Sequence, residues 1–163
     1  ALPMGTKTDK QGREIVEIRY EMGIPGTFAT GPIMGHMLNK LKDKELWGNR
    51  CGKCQNIMFP PKIVCPKCFE EPTEWVKLDD YGYIATFDVV HFPTVNPLTG
   101  EMRPVPYTTL IVAQPSGGGF FHFCLEHDPE KLAPGKKVVP VWSEDRKATP
   151  SDLEGFVLAD DKE

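Results

Sequence analysis

The chain has 163 residues, of which 40% are hydrophobic and 26% charged, with a formal net charge of −4. That length holds one modest core, or a small core plus a metal-stapled appendage, and excludes a large enzyme fold; the composition excludes wholesale disorder. The acidity argues against a protein that grips nucleic acid over its whole surface, no run approaches the roughly 18 apolar residues of a membrane span, and no secretion signal opens the chain, so a soluble, cytoplasmic protein is expected.

Residues 1–13 are polar and show no period of either kind, so they read as a mobile arm. The β-branched and aromatic run Glu14 to Tyr20 predicts an extended strand, and the Gly/Pro-rich stretch Gly23 to Pro32 predicts a surface loop. From Ile33 to about Trp47, apolar Ile33, Met34, Met37, Leu38 and Leu41 recur at helical spacing opposite Asn39, Lys40, Lys42, Asp43 and Lys44, which predicts one amphipathic helix. Such a helix either packs on its own core or docks on a partner, and those five apolar residues are the candidate interface.

Two CxxC knuckles follow, Cys51-Gly52-Lys53-Cys54 and Cys65-Pro66-Lys67-Cys68, separated by ten residues. Cys51, Cys54, Cys65 and Cys68 supply four soft ligands, the tetrahedral sulfur set that zinc prefers, with iron as the rival metal. Four protein ligands leave no open coordination position, so one structural Zn2+ per chain is expected, and no water activation. The metal would fold a segment whose few apolar residues, Ile57, Met58, Phe59, Ile63 and Val64, form too small a core alone.

Beyond Glu74 the pattern changes to short β-rich runs at Trp75–Leu78, Tyr83–Phe92, Tyr107–Ala113, Gly119–Leu125, Val138–Trp142 and Gly155–Ala159, separated by turn signals at Asn96–Gly100, Gln114–Gly118 and Ala133–Gly135. Five or six such strands, with a brief helical or turn element at Asp128–Leu132, fit a small barrel of the oligonucleotide/oligosaccharide-binding (OB) type. The expected fold is thus mainly β: an extended arm and loop over 1–32, an amphipathic helix over 33–48, a zinc ribbon over 49–73, and an OB-type barrel with a short tail over 74–163.

The ordered run Trp47-Gly48-Asn49-Arg50-Cys51-Gly52-Lys53-Cys54, Phe59-Pro60-Pro61, Cys65-Pro66-Lys67-Cys68, Trp75 and Asp80-Tyr81-Gly82-Tyr83-Ile84 resembles the acyl-CoA-associated zinc-ribbon/OB-fold proteins. Pro106 to Val112, Asp128 to Leu132 and Gly135 to Val138 also follow that family's pattern, so the resemblance covers roughly residues 34 to 159. It implies a rubredoxin-like ribbon joined to an OB barrel, in a non-catalytic subunit of a hetero-oligomer whose thiolase-like partner does the chemistry on an acyl-CoA. Other members partner acyl-CoA hydratases or aldolases. The long arm resembles that of the zinc-finger subunits of benzoylsuccinyl-CoA thiolases in anaerobic toluene degradation.

No catalytic residue is assigned. Cys124 lies in an aromatic strand, where a lone cysteine is ordinarily a small buried hydrophobe rather than an acylated nucleophile. His36, His91, His122 and His127 are scattered among different elements, and Asp79-Asp80 and Asp160-Asp161 sit at turn and tail positions where solvated carboxylates are ordinary. Between Leu38 and Cys68, seven basic residues face two acidic ones, a net +5 that leaves −9 for the rest. Arg50, Lys53, Lys62 and Lys67 are therefore candidates to contact the phosphates of acyl-CoA or CoA shared with the partner, against the plainer reading of a solvated basic face. Nucleic-acid binding is disfavoured by the acidic barrel.

Overall fold

The computed structural model describes residues 5–8, 14–17, 30–96 and 100–159. Strands β1 (Gly5–Thr8) and β2 (Glu14–Glu17) pair antiparallel, Gly5 opposite Glu17. The expectation of an arm without regular structure therefore fails at Gly5–Thr8, because backbone pairing requires no side-chain period. Of the expected Gly/Pro loop, the part before Thr30 lies outside the described residues.

Helix α1 spans Gly31–Lys42, shorter than the predicted helix at one end and longer at the other. Pro32 sits in its first turn, where a missing N–H costs nothing, so the residue expected to close a loop opens the helix instead. At the far end Lys44 adopts a left-handed φ of 63°, and the amides of Lys44 and Glu45 donate to the carbonyls of Leu41 and Lys40. These bonds satisfy the last carbonyls and end the helix before Trp47.

Trp47 instead begins β3 (Trp47–Cys51), flanked antiparallel by β4 (Ile57–Met58) and β5 (Pro72–Lys77). The run at Trp75, expected in the barrel, thus belongs to the ribbon sheet, Trp75 opposite Asn49. The barrel is closed by five strands in the order β10 (Leu153–Leu158), β8 (Gly119–Cys124), β7 (Tyr107–Ala113), β6 (Gly82–Val90) and β9 (Lys137–Trp142), with β9 returning to β6. Only β10 and β8 run parallel, Phe156 beside Cys124. This is the small OB-type architecture.

Alternate residues point inward: Leu110 and Val112 from β7, Phe120 and Cys124 from β8, Val138 from β9, Phe156 and Leu158 from β10. One continuous core joins them to Met37, Leu38 and Leu41 of α1 and to Phe59 of the ribbon. The apolar stripe of α1 is therefore covered by its own chain over its C-terminal half. Met37, Leu38 and Leu41 are no more than 8% exposed, which removes them from the candidate interface. Ile33 and Met34 are half-buried. No helix among the described residues is long and apolar enough to cross a membrane.

Candidate metal centre

The two knuckles are built alike. After Cys51, the Gln55 amide donates to the Cys51 carbonyl and Gln55 takes φ 59°; after Cys65, the Phe69 amide donates to the Cys65 carbonyl and Phe69 takes φ 57°. Each turn thereby folds its two thiols to one side. The loop between the knuckles is tied to β3 by Asn49, which is buried, donates from Nδ2 to the Lys62 carbonyl at 2.7 Å and accepts from the Lys62 amide at 3.2 Å.

This brings Cys51, Cys54, Cys65 and Cys68 together with all four sulfurs within 4.8 Å of one another. The Cys51–Cys68, Cys54–Cys65 and Cys54–Cys68 sulfur pairs are 3.3, 3.5 and 3.7 Å apart. These separations are far longer than the ~2 Å of a disulfide and close to the ~3.8 Å edge of a tetrahedron with Zn–S of about 2.3 Å. The protein also prepares the charge. The amides of Cys54 and, to a lesser degree, Lys53 point at the Cys51 sulfur and pull its pKa down to about 6 against the opposing effect of burial. At Cys65, burial pulls upward but is outweighed by the amides of Lys67 and Cys68. At Cys68, the neighbouring Cys51 sulfur pushes the thiol up to about 12. Thiolates favoured by amides yet repelling one another are what a divalent cation relieves. The four cysteines are positioned to bind one metal ion, and the donor set is that of structural zinc, with every coordination position supplied by the chain.

Of the four basic candidates, Arg50 pairs with Glu74 at 3.3 Å and Lys53 with Glu70 at 2.9 Å. Lys62 and Lys67 are exposed and pair with no carboxylate among the described residues. Around them the ribbon presents three apolar side chains to solvent, Ile63 and Val64 among them in place of the small ribbon core expected of them: Ile63 is 72% exposed, Val64 41% and Phe69 81%. Ile63 lines a cleft of about 240 Å3 with Ile33 of α1 and Trp75 of β5. The left-handed Phe69 follows from the knuckle, but its exposure has no signal in the spacing.

The other chemistry-bearing residues are dispersed. Cys124 is 1% exposed in the barrel core. His36 stacks on Trp75, ring centroids 4.0 Å apart, and meets Trp47 edge-on. His127 Nδ1 lies 3.1 Å from Thr108 Oγ1, and Asp79 accepts a hydrogen bond from the Ser116 amide. His91 is exposed, and Asp160-Asp161 lie outside the described residues.

Residues 39–74 match the sequence profile of the ChsH2 rubredoxin-like zinc ribbon domain. The chain is 29% identical over 105 residues to a DUF35 domain-containing scaffold protein of Methanothermobacter thermautotrophicus, covering 63% of this chain and 75% of that protein. A protein of the same description from Methanocaldococcus jannaschii is 32% identical over 98 residues, covering 60% and 67%. Among solved structures, the Ltp2-ChsH2(DUF35) aldolase superposes with a TM-score of 0.60 at 24% identity, over 82% of this chain and 99% of that one. A DUF35-family protein of unknown function from Sulfolobus solfataricus superposes with a TM-score of 0.56 at 20% identity, over 79% and 87%.

Proposed function

We propose, since this chain belongs to the DUF35 family, that it is a non-catalytic, zinc-stapled subunit of an acyl-CoA thiolase complex, stabilising the catalytic partner and helping to shape its acyl-CoA entrance. The observation that carries the partner role is the ribbon surface: Ile63, Val64 and Phe69 stand exposed beside Lys62 and Lys67, which pair with no carboxylate among the described residues. A small domain gains nothing from three large apolar side chains in water, and an apolar patch rimmed by free cations suits a partner surface that is apolar and rimmed by carboxylates. The candidate interface accordingly moves from the middle of α1 to the ribbon, with Ile33 retained at its edge. The closed four-thiolate site and the burial of Cys124 support a structural rather than chemical role for this chain. The names of the relatives point the same way, since they are described as scaffold proteins and one structural neighbour pairs a DUF35 protein with an aldolase.

In such a complex the partner's cysteine thiolate would take the acyl group and free CoA would accept it. Lys62 and Lys67 are the residues of this chain best placed to meet CoA phosphates, because neither is paired among the described residues. The test is purification of the native complex followed by assay of β-ketoacyl-CoA cleavage with and without free CoA. CoA-dependent cleavage by the complex, and none by the isolated chain, is expected. Retro-aldol cleavage that needs no CoA would make the partner an aldolase, and turnover by the isolated chain would overturn the non-catalytic role.

A further inference from the structure

At one end of the barrel, far in sequence from the metal ligands, the β6–β7 and β9–β10 connections border a cleft of about 440 Å3. Its walls include Asn96 and Arg103 from the first connection, His122 and Phe123 from β8, and Ser143 and Ser151 from the second. Arg103 is half-buried, and its guanidinium lies 4.4 Å from the centroid of the Phe123 ring. Its only side-chain hydrogen bond among the described residues is a long one, 3.5 Å, to Asn96 Oδ1, and no carboxylate pairs with it. A guanidinium laid against a ring, partly desolvated and within pairing distance of no carboxylate among the described residues, keeps its fork of N–H donors for a planar two-oxygen acceptor.

A second observation is independent of the first. His122 Nδ1 is buried without a hydrogen-bond partner. Burial also pushes the ring's pKa down to about 4, so it stands neutral at ordinary pH. The neutral ring, as part of the cleft wall, offers a flat, uncharged face to the apolar body of a ligand. The hydroxyls of Ser143 and Ser151 add donors, and Phe123 adds an apolar wall. Glu154 stands on the exposed side of the same cleft, and its negative charge selects against a dianion such as phosphate.

We infer that this cleft binds a small organic monocarboxylate, with the carboxylate forked by Arg103 and the apolar body lying against Phe123 and His122. This site is separate from the ribbon and depends neither on the metal nor on the partner. The experiment is an NMR titration of the full zinc-loaded chain with benzoate, with benzyl alcohol and inorganic phosphate as the neutral and dianionic comparisons. Benzoate is expected to shift the Phe123 amide and His122 ring signals saturably, while the other two leave them in place. Arg103→Gln should weaken benzoate at least tenfold, and Lys42→Gln, which removes the same charge from the exposed end of α1, should not. Arg103→Lys, which keeps the charge and loses the fork, should also weaken it, at an unchanged melting temperature, and it decides the matter if Arg103→Gln does not fold. No saturable shift with benzoate, an equal response to phosphate or benzyl alcohol, or undiminished affinity in the folded Arg103 variants overturns the inference.

Discussion

Phe59 of the ribbon meets Phe120 of the barrel edge-on, with ring centroids 4.5 Å apart and planes at 69°. Phe120 in turn packs on Phe156 at 5.6 Å, so one line of aromatic rings connects the loop between the knuckles to the centre of the barrel. Both rings of the first pair are at least nine-tenths buried. Phe59→Ala should therefore cost the chain ~3–5 kcal/mol through lost burial and the cavity left behind. Chemical denaturation of the zinc-loaded chain measures it, and a loss below about 1 kcal/mol would mean that the two units fold independently.

Much of this was legible in the sequence, and for physical reasons. Two CxxC knuckles fix the metal geometry locally, because each is a turn whose amides face its own sulfurs. All five barrel strands lie within two residues of the runs expected from the sequence, because alternation in runs such as Tyr107–Ala113 reflects a wall with one dry face. Boundaries failed where tertiary contacts decide. No Gly or Pro between Lys42 and Trp47 marks the end of α1, yet the left-handed Lys44 turns the chain and Trp47 pairs with Lys77 across β3 and β5. The barrel-end cleft was invisible because Arg103 and His122 lie in different elements, and nothing in their spacing brings them to one cavity.

The metal follows from four sulfurs and nothing else. Elemental analysis should give one zinc per chain with little iron. Cys51→Ser or Cys65→Ser should release the metal and unfold the ribbon, whereas Cys124→Ser, set in the barrel core, should keep full occupancy. Metal loss in the Cys124 variant would contradict the ligand set.

Leu41 is 3% exposed beneath the barrel. Leu41→Asp places a carboxylate in that core, and it should lower the stability of the isolated chain by several kcal/mol. Thermal melting of the chain alone reads this out, and an unchanged melting temperature would return α1 to the list of docking surfaces.

Asp152 gives the β9–β10 connection a dependence on acid. Its carboxylate is buried, which alone would raise its pKa, but it accepts hydrogen bonds from the amides of Lys147 and Ala148 and from the Thr149 hydroxyl at 2.8 to 3.1 Å, and these hold it below the usual value. A lowered folded pKa means that the unfolded chain binds the proton first as pH falls. The contribution is therefore complete above the unfolded value of about 3.9 and is lost as pH drops through the folded one. Melting curves between pH 7 and pH 3 should show Asp152→Asn below the parent at neutral pH, with the gap closing below pH 4. Parallel curves would show that Asp152 does not titrate as argued.

The ribbon surface separates a docking role from an internal one more cleanly than α1 can. Ile63 and Phe69 are 72% and 81% exposed, so a carboxylate at either position meets water in the isolated chain and should change its stability by less than about 0.5 kcal/mol. In a complex the same carboxylate would be forced into an apolar contact, and opposite a partner rim chosen to suit Lys62 and Lys67 it would also meet like charge. Ile63→Asp and Phe69→Asp should therefore weaken association with the catalytic subunit by tenfold or more while the melting temperature and zinc content of the free chain stay at their parent values. Lys62→Glu should slow association chiefly at low salt, since a rim charge acts on encounter more than on the formed contact. Size-exclusion co-elution and surface binding kinetics with the purified partner measure both effects. If the aspartate variants bind with parent affinity, the partner sits elsewhere on this chain, and the exposed ribbon residues serve another contact.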